Sequence, residues 1–146
     1  MNKKETIDNL RAAKSYLVQW KANIQGYAYG MQVNKSHLPL ISTDSLYSKW
    51  FLNYGQALSS LPAFKHINTQ LDICFSNFQD LYKLIETKPQ KAGLFQSQAK
   101  LDAEREEQIT RQAQHVFDSI NLLIDYTLML EKEASELTEE EFAELF

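Results

Sequence analysis

The stretch FKHINTQLDICFSNFQDLYKLI, residues 64–85, decides the fold of this chain. Apolar side chains recur along it in steps of three and four, at Phe64, Ile67, Leu71, Cys74, Phe78, Leu81 and Ile85. That spacing places them on one face of an α-helix. Ser60 is a suitable N-cap with Pro62 near the first turn, and Pro89 predicts the end of the helix because the residue before a proline disfavours helical geometry. The stretch therefore predicts one long amphipathic helix.

Two further segments carry the same pattern. The segment from about Lys3 to Gln32 has apolar or small residues at Leu10, Ala13, Leu17, Trp20, Ile24, Tyr27 and Met31. The segment from about Leu94 to Leu130 has them at Ile109, Ala113, Val116, Ile120, Leu123 and Leu130. Alternation typical of β-strands is missing from the sequence, and long helices joined by loops favour antiparallel packing. The sequence predicts three long helices in a bundle.

A short helix is predicted between the first two long ones. Residues 33–43 read as a loop that buries Leu38, Leu40 and Ile41, after which Thr43 or Asp44 caps a helix that Gly55 closes. Six large apolar residues fall within the nine positions from Leu46 to Tyr54, more than one face of a surface helix can bury. An insert lying across the open side of the long helices explains this density. We expect an all-α, up-down helical bundle of three long helices plus one short inserted helix.

The composition limits the classes of function. The chain has 146 residues, enough for one domain, and its single cysteine, Cys74, cannot form an internal disulfide. The N-terminal residues lack a signal-peptide layout and no apolar run is long enough to span a bilayer, so we expect a soluble, cytoplasmic protein without membrane insertion. The net charge is −4 and the basic residues are scattered, so we expect no nucleic-acid partner.

The sequence offers no recognisable catalytic or metal-binding motif. A di-iron bundle requires Glu-x-x-His pairs, and none of His37, His66 and His115 follows a glutamate by three residues. Cys74 and His66 are eight residues apart, which is more than two helical turns. A triad assembled from distant segments stays open on spacing alone. We expect a protein that is not an enzyme and holds no cofactor.

Three short motifs resemble one known family. They are Leu17-Val18-Gln19-Trp20-Lys21, Ser45-Leu46-Tyr47-Ser48-Lys49-Trp50 with Gly55 five residues later, and Pro62-Ala63-Phe64-Lys65-His66-Ile67. In this order they resemble the chemoreceptor zinc-binding (CZB) domain, over roughly residues 10–130. The resemblance implies a helical sensory or regulatory domain of bacterial signalling, whose protein partner is a chemoreceptor or a second-messenger component.

The positions that bind zinc in that family carry other residues here. The first family histidine falls on Leu17 and the cysteine on Ser45. The paired histidines fall on Leu71 and Phe75, or on Asp72 and Ser76 if the helix register moves by one. Zinc requires four converging donors, so the resemblance implies a degenerate site without metal. Apolar packing can replace a buried polar cluster without loss of stability.

Two interpretations of the function follow. The first is a non-enzymatic sensory, regulatory or adaptor module that acts through protein–protein contact. The alternative is a small-molecule-binding bundle, in which the vacated site beside Trp20, Tyr47 and Trp50 is a pocket. A homodimer through the faces of long helices is compatible with the same stripes.

The last residues form a separate acidic tail. We divide the chain into a bundle, residues 1–134, and a tail, residues 135–146. Thr138 and Glu141 form a capping-box sequence that predicts a short helix. A helix this short is unstable alone, so its apolar residues either dock on the bundle or a sister subunit, or belong to a disordered tail that a partner recognises. These candidate interaction residues are Leu137, Phe142, Leu145 and Phe146.

Overall fold

The computed structural model describes residues 2–145, and within that range the chain forms α-helices and short 3-10 turns without a β-strand. The helices are α1 (Lys3–Ala28), α2 (Leu46–Leu52), α3 (Phe64–Glu86), α4 (Gln98–Ser135) and α5 (Glu139–Ala143). The predicted all-α bundle of three long helices, one short insert and a short C-terminal helix is confirmed.

Helix α1 ends earlier than the sequence pattern predicts. Its last residue is Ala28, and Gly30 follows with a φ of 82°, in the left-handed region that favours glycine. The Met31 N–H donates to the Gly26 carbonyl at 2.9 Å, and the Gly30 N–H donates to Tyr27 at 3.2 Å. These two bonds make a Schellman motif, which terminates the helix. The predicted end at Gln32 is wrong because Gly30 turns the chain before Met31.

Helices α3 and α4 run antiparallel and form the closest pair. The Gln70 amide donates to the Ser119 carbonyl at 2.9 Å, and the Gln112 amide donates to the Asn77 carbonyl at 2.9 Å. The residue number on α3 rises from 70 to 77 while that of the partner on α4 falls from 119 to 112, so the two helices run in opposite directions. Helix α4 begins at Gln98 and ends at Ser135, so it is shifted toward the C-terminus relative to the prediction.

Helix α4 is also antiparallel to α1. Arg11 pairs with Glu131 at 2.7 Å, and Lys21 donates to Asn121 at 2.8 Å. Helices α1 and α3 consequently run in the same direction, and residues 31–62, which include α2, travel back along the bundle between them. Both α1 and α3 lie closer to α4 than to each other. This spacing creates the site described below.

Helix α2 lies across that opening, as the density of apolar residues predicts. It buries Tyr47, Ser48, Trp50 and Phe51. The predicted cap at Thr43 or Asp44 is wrong, since these residues belong to a 3-10 turn. The N-cap of α2 is Ser45, whose hydroxyl accepts the Ser48 N–H at 3.0 Å. Ile41, predicted to be buried, is 60% exposed.

Helix α3 is capped by a residue of another helix. The predicted N-cap, Ser60, lies in the preceding turn, and the cap position is taken by Ala63, which has no polar side chain. The Glu133 carboxylate of α4 accepts the Ala63 N–H at 2.7 and 3.1 Å. A negative charge at this end is favourable, because the N-terminus of a helix is partly positive.

The core lies along the inner face of α4. Its fully buried side chains come from the predicted stripes and include Leu10, Leu17, Ile24, Ile67, Phe78, Leu81, Val116, Ile120, Leu123 and Leu130. Leu58 and Thr127 are buried with them. The three-four spacing thus identified the buried faces.

Candidate functional site

The four positions aligned with zinc ligands converge in the structure. Leu17 of α1, Ser45 at the start of α2, and Leu71 and Phe75 of α3 all line one cleft of about 420 Å³. The cleft lies in the gap between α1 and α3. Its remaining lining residues are Ser15, Tyr16, Gln19, Trp20, Asn23, Ser36, His37, Pro39, Asp44, Leu46 and Tyr47.

The floor of the cleft is apolar and aromatic. The Trp20 ring stacks on Phe75 with centroids 4.6 Å apart, and its edge meets Phe78 at 5.8 Å. Leu17 and Leu71 are almost fully buried beside this stack. Offset aromatic pairs of this kind add to the stabilisation from buried area. The cleft therefore opens onto a packed apolar surface that includes these rings.

Trp20 also carries an unsatisfied polar group. The residue is 7% exposed, and its Nε1–H has no hydrogen-bond partner within the described residues. A buried indole N–H is normally paired, and leaving such a donor unpaired costs about 1–3 kcal/mol. The Nε1 atom has almost no solvent-accessible area, so a molecule in the cleft does not reach this N–H unless the packing around it changes.

Ser45 has a structural role at the edge of the cleft. Besides capping α2, its hydroxyl donates to the Ser48 hydroxyl at 2.8 Å. The Ser42 hydroxyl lies 2.8 Å from the same Ser48 oxygen. This chain of hydroxyl groups connects the loop before α2 to the helix. The Ser45 hydroxyl therefore accepts one hydrogen bond and donates another, both to Ser48.

Tyr47 and Trp50, the other two residues predicted to line the pocket, lie in different environments. Tyr47 lines the cleft, and its hydroxyl lies 2.8 Å from that of Thr127 on α4. Burial raises the pKa of Tyr47 well above its ordinary value, so the phenol is neutral. Trp50 lies outside the cleft and packs against Tyr47 and Phe51. The structure therefore brings Trp20 and Tyr47 together at the cleft and leaves Trp50 in the core.

A polar clasp holds the outer wall of the cleft, which residues 36–39 form in part. The Lys35 ammonium donates to the Glu86 carboxylate at 3.1 Å and to the Tyr82 hydroxyl at 3.2 Å, and the Tyr27 hydroxyl donates to Glu86 at 2.7 Å. These bonds lower the pKa of Glu86, with the Tyr27 bond as the largest cause. The wall is fastened to the C-terminal ends of both α1 and α3.

Sequence reasoning missed the polar residues of the rim. Ser15, Gln19 and Asn23 lie on one ridge of α1 because they are four residues apart. Their spacing beside the apolar stripe is a signal that the sequence contains. His37 and Asp44 supply the ionisable groups of the rim from the loop. Their position could not be predicted, since an irregular loop has no periodicity.

The residues considered for catalysis lie apart. Cys74 is fully buried, and burial raises the pKa of its thiol to about 12. His66 is exposed and stacks on Tyr126 with centroids 5.2 Å apart. Across residues 2–145, His, Cys, Asp and Glu side chains form no group of three or more that could hold a metal ion.

The C-terminal tail docks on the bundle. The capping box is present, since the Glu141 N–H and the Thr138 N–H each donate to the other residue's side chain at 3.1 Å. The Lys3 ammonium donates to the Leu137 carbonyl at 2.7 Å, and Phe142 is 3% exposed. Leu145 is half-buried against the core, while Phe146 lies outside the described residues. Of the two alternatives for the tail, the structure has the docked one.

Comparison of the chain with protein-family models, curated proteins and solved structures gives no match. The resemblance to the CZB domain therefore rests on the sequence motifs alone. Within the described part of the chain, every helix is too short or too polar to cross a membrane.

Proposed function

We propose that this protein is a non-enzymatic sensory module that binds a small, mostly apolar molecule in the cleft between α1 and α3. The observation that carries the proposal is the cleft of about 420 Å³, whose floor contains the stack of Trp20 on Phe75. Ligand sites are typically apolar cavities of roughly 300–1,000 Å³ with a few oriented polar groups. The cleft matches this description in size and in chemistry.

The lining defines the class of ligand. Leu17, Leu71 and Phe75 favour an apolar or aromatic body, which the Trp20 ring can contact as well. Asp44 and His37 provide polar contacts at the rim. A neutral or weakly charged molecule of one or two rings fits these requirements.

Three further parts of the proposal rest on other observations. The absence of zinc is supported by the residues at the aligned ligand positions, three of which are hydrocarbon side chains. The absence of catalysis is supported by the raised pKa of the Cys74 thiol and by the surface position of His66. The output, contact with a chemoreceptor or second-messenger component in the cytoplasm, rests on the family resemblance.

Two single-tryptophan variants test the site. Trp50→Phe leaves Trp20, in the floor of the cleft, as the only tryptophan, and Trp20→Phe leaves Trp50, in the core. Titration with the apolar dye anilinonaphthalene sulfonate should quench the Trp20 emission strongly. The same dye should bind the Trp20→Phe variant more weakly, because the stack on Phe75 that forms the floor of the cleft is altered.

A size-matched pair of variants locates the binding. Asn23→Phe places a ring in the cleft, and Ala22→Phe places the same ring on the neighbouring exposed face of α1. We expect Asn23→Phe to weaken dye binding on the order of tenfold and Ala22→Phe to leave it unchanged. Equal affinity of both variants for the dye would contradict the site. Stoichiometric zinc in protein purified without a chelator would contradict the proposed loss of metal.

A further inference from the structure

The turn between α3 and α4 exposes two large apolar side chains at its tip. Leu94 is 93% exposed and Phe95 is 97% exposed. They are the two central residues of a turn that is closed by a hydrogen bond from the Gln96 N–H to the Gly93 carbonyl at 3.2 Å. Polar residues and glycine are the usual occupants of such positions. We call residues 93–96 the apolar turn.

The apolar turn is held in place by its neighbours. The Gln96 side chain accepts the Gly93 N–H at 2.8 Å, and the Gln98 side chain accepts the Ala92 N–H at 2.8 Å. The Arg105 guanidinium donates to the Ile85 carbonyl at 2.9 Å and so fixes the end of α3. The two apolar side chains are thereby presented together in a preorganised turn, which lowers the entropy cost of binding.

The charged residues that flank the apolar turn within positions 87–101 are all lysines. Residues 87–101 contain Lys88, Lys91 and Lys100 and no acidic residue, in a chain whose net charge is −4. All three lysines are exposed. The nearest acidic residues are Glu86, the last residue of α3, and Asp102 near the start of α4, whose carboxylate accepts the Gln98 amide at 3.0 Å. The segment between these two residues therefore carries only positive charge beside its two exposed apolar side chains.

Other exposed apolar residues have a different setting. Leu128 and Met129 are exposed on α4, but their charged neighbours in sequence, Asp125, Glu131 and Glu133, are acidic apart from Lys132. An anionic surface would repel that face. Leu94 and Phe95 are 93% and 97% exposed, whereas the other exposed large apolar side chains among the described residues reach at most 68%. The apolar turn is distinguished by this degree of exposure together with its three lysines.

We infer that the apolar turn docks the end of the bundle on an anionic lipid surface. Leucine and phenylalanine would enter the boundary between headgroups and acyl chains, while the three lysines contact the headgroups. The contact is shallow and reversible, since it involves two side chains and a few charges. It refines the sequence-based prediction of no membrane insertion, because the proposed contact is made by a turn at the lipid surface. The inference is independent of the ligand cleft.

Vesicle sedimentation tests the inference with the full chain. The probes are vesicles of phosphatidylcholine alone and of phosphatidylcholine mixed with phosphatidylserine. We expect the protein to sediment with the mixed vesicles and to be released as the salt concentration rises, because screening shortens the reach of the lysine charges. Binding to both kinds of vesicle alike, or to neither, would overturn the inference.

Three variants assign the binding to the turn. Leu94→Ser with Phe95→Ser should reduce partitioning onto mixed vesicles roughly tenfold to a hundredfold. Lys88→Gln with Lys91→Gln should reduce it about fivefold per lysine. The control, Leu52→Ser with Tyr54→Ser, removes two other exposed apolar residues and should leave partitioning unchanged. All positions are exposed, so the melting temperature should stay near that of the parent protein.

The same variants separate lipid binding from self-association. If the parent protein forms oligomers that Leu94→Ser with Phe95→Ser dissolves, and vesicles bind neither protein, then the turn contacts a second copy and the lipid inference is wrong. If the control variant loses vesicle binding as much as the turn variant does, the contact is nonspecific and the inference is again wrong.

Discussion

The α3–α4 interface and the gap between α1 and α3 are lined by the same kinds of residue, yet one is closed and the other holds a cleft. Along α3, Ile67, Phe78 and Leu81 are completely buried, whereas Leu71 and Phe75 line the cleft. Two helices in close contact can interdigitate their side chains and fill the space between them. Helices α1 and α3 are each packed on α4 and are held apart by it, so the side chains between them fill the gap incompletely.

The comparison shows that a buried apolar residue does not by itself indicate a solid core. Leu17 and Leu71 are 1% and 4% exposed, values typical of core residues, and they still line the cleft. What differs is the distance between the backbones that carry them. The following changes test this difference.

The largest effect is expected for a matched pair of leucines. Leu123→Ala removes side-chain volume from the closed core on α4, and Leu71→Ala removes the same volume from the cleft wall. We expect destabilisation of about 3–5 kcal/mol for the first and about 2–3 kcal/mol for the second, because a new cavity in closed packing is the more costly. Chemical denaturation measures both. A larger loss for Leu71→Ala would mean that the gap is closed in solution.

A smaller effect is expected at the cap of α3. Glu133→Ala removes the carboxylate that accepts the Ala63 N–H and should cost about 1–2 kcal/mol. Glu133→Gln keeps an acceptor oxygen and should lose less than half of that. Both are measured by denaturation. If both variants lost the same stability, the negative charge of Glu133 would be what stabilises the start of α3, and a neutral acceptor oxygen would not be sufficient.

Tyr47 belongs to both regions, since its ring lines the cleft and its hydroxyl reaches Thr127 in the core. Tyr47→Phe should cost about 0.5–1.5 kcal/mol. Thr127 would keep its bond to the Leu123 carbonyl, and dye affinity should not change because the ring remains. Thr127→Val should cost more, because it leaves the buried Tyr47 hydroxyl unpaired. A Tyr47→Phe variant that is less stable than Thr127→Val would contradict the assignment of Tyr47 as the donor and Thr127 as the acceptor.

The smallest effect is expected at the clasp on the cleft wall, and it depends on pH. The Tyr27 hydroxyl and Lys35 lower the pKa of Glu86 in the folded state. A lowered carboxyl pKa contributes stability above the unfolded value, about 4.3, and that contribution is lost as pH falls through the folded value. Glu86→Gln should therefore lower the melting temperature slightly at neutral pH.

The pH dependence is the control for the clasp. In acid the carboxyl group of the parent protein is protonated, so parent and Glu86→Gln should melt at nearly the same temperature. A difference that persists unchanged below the folded pKa of Glu86 would show that its charge is not involved. The ion pair is exposed, which keeps the expected effect small.

Much of the fold could be predicted because its signals are local. The stripe of α3 predicted its buried face, and Pro89 marked the end within a few residues of Glu86. The ends that were missed depend on contacts between distant residues. Ala63 starts α3 because Glu133, seventy positions away, accepts its N–H. No property of residues near Ser60 contains that information.

The candidate site was predictable in part. The resemblance to the CZB domain pointed to Leu17, Ser45, Leu71 and Phe75, and these four residues line one cleft. Trp20 and Tyr47 line it too, whereas Trp50 packs in the core. Both tryptophans are followed or preceded by lysine and look alike in sequence, so only their packing separates them.

By itself, the sequence determined that this chain forms long helices and which faces of them are buried, because helical periodicity is a property of neighbouring residues. The tertiary structure decided that α1 and α3 stand apart on α4, that the loop with Lys35 closes the outer wall, and that Phe142 folds back onto the bundle. These features depend on distances between segments remote in the chain, which local patterns do not encode.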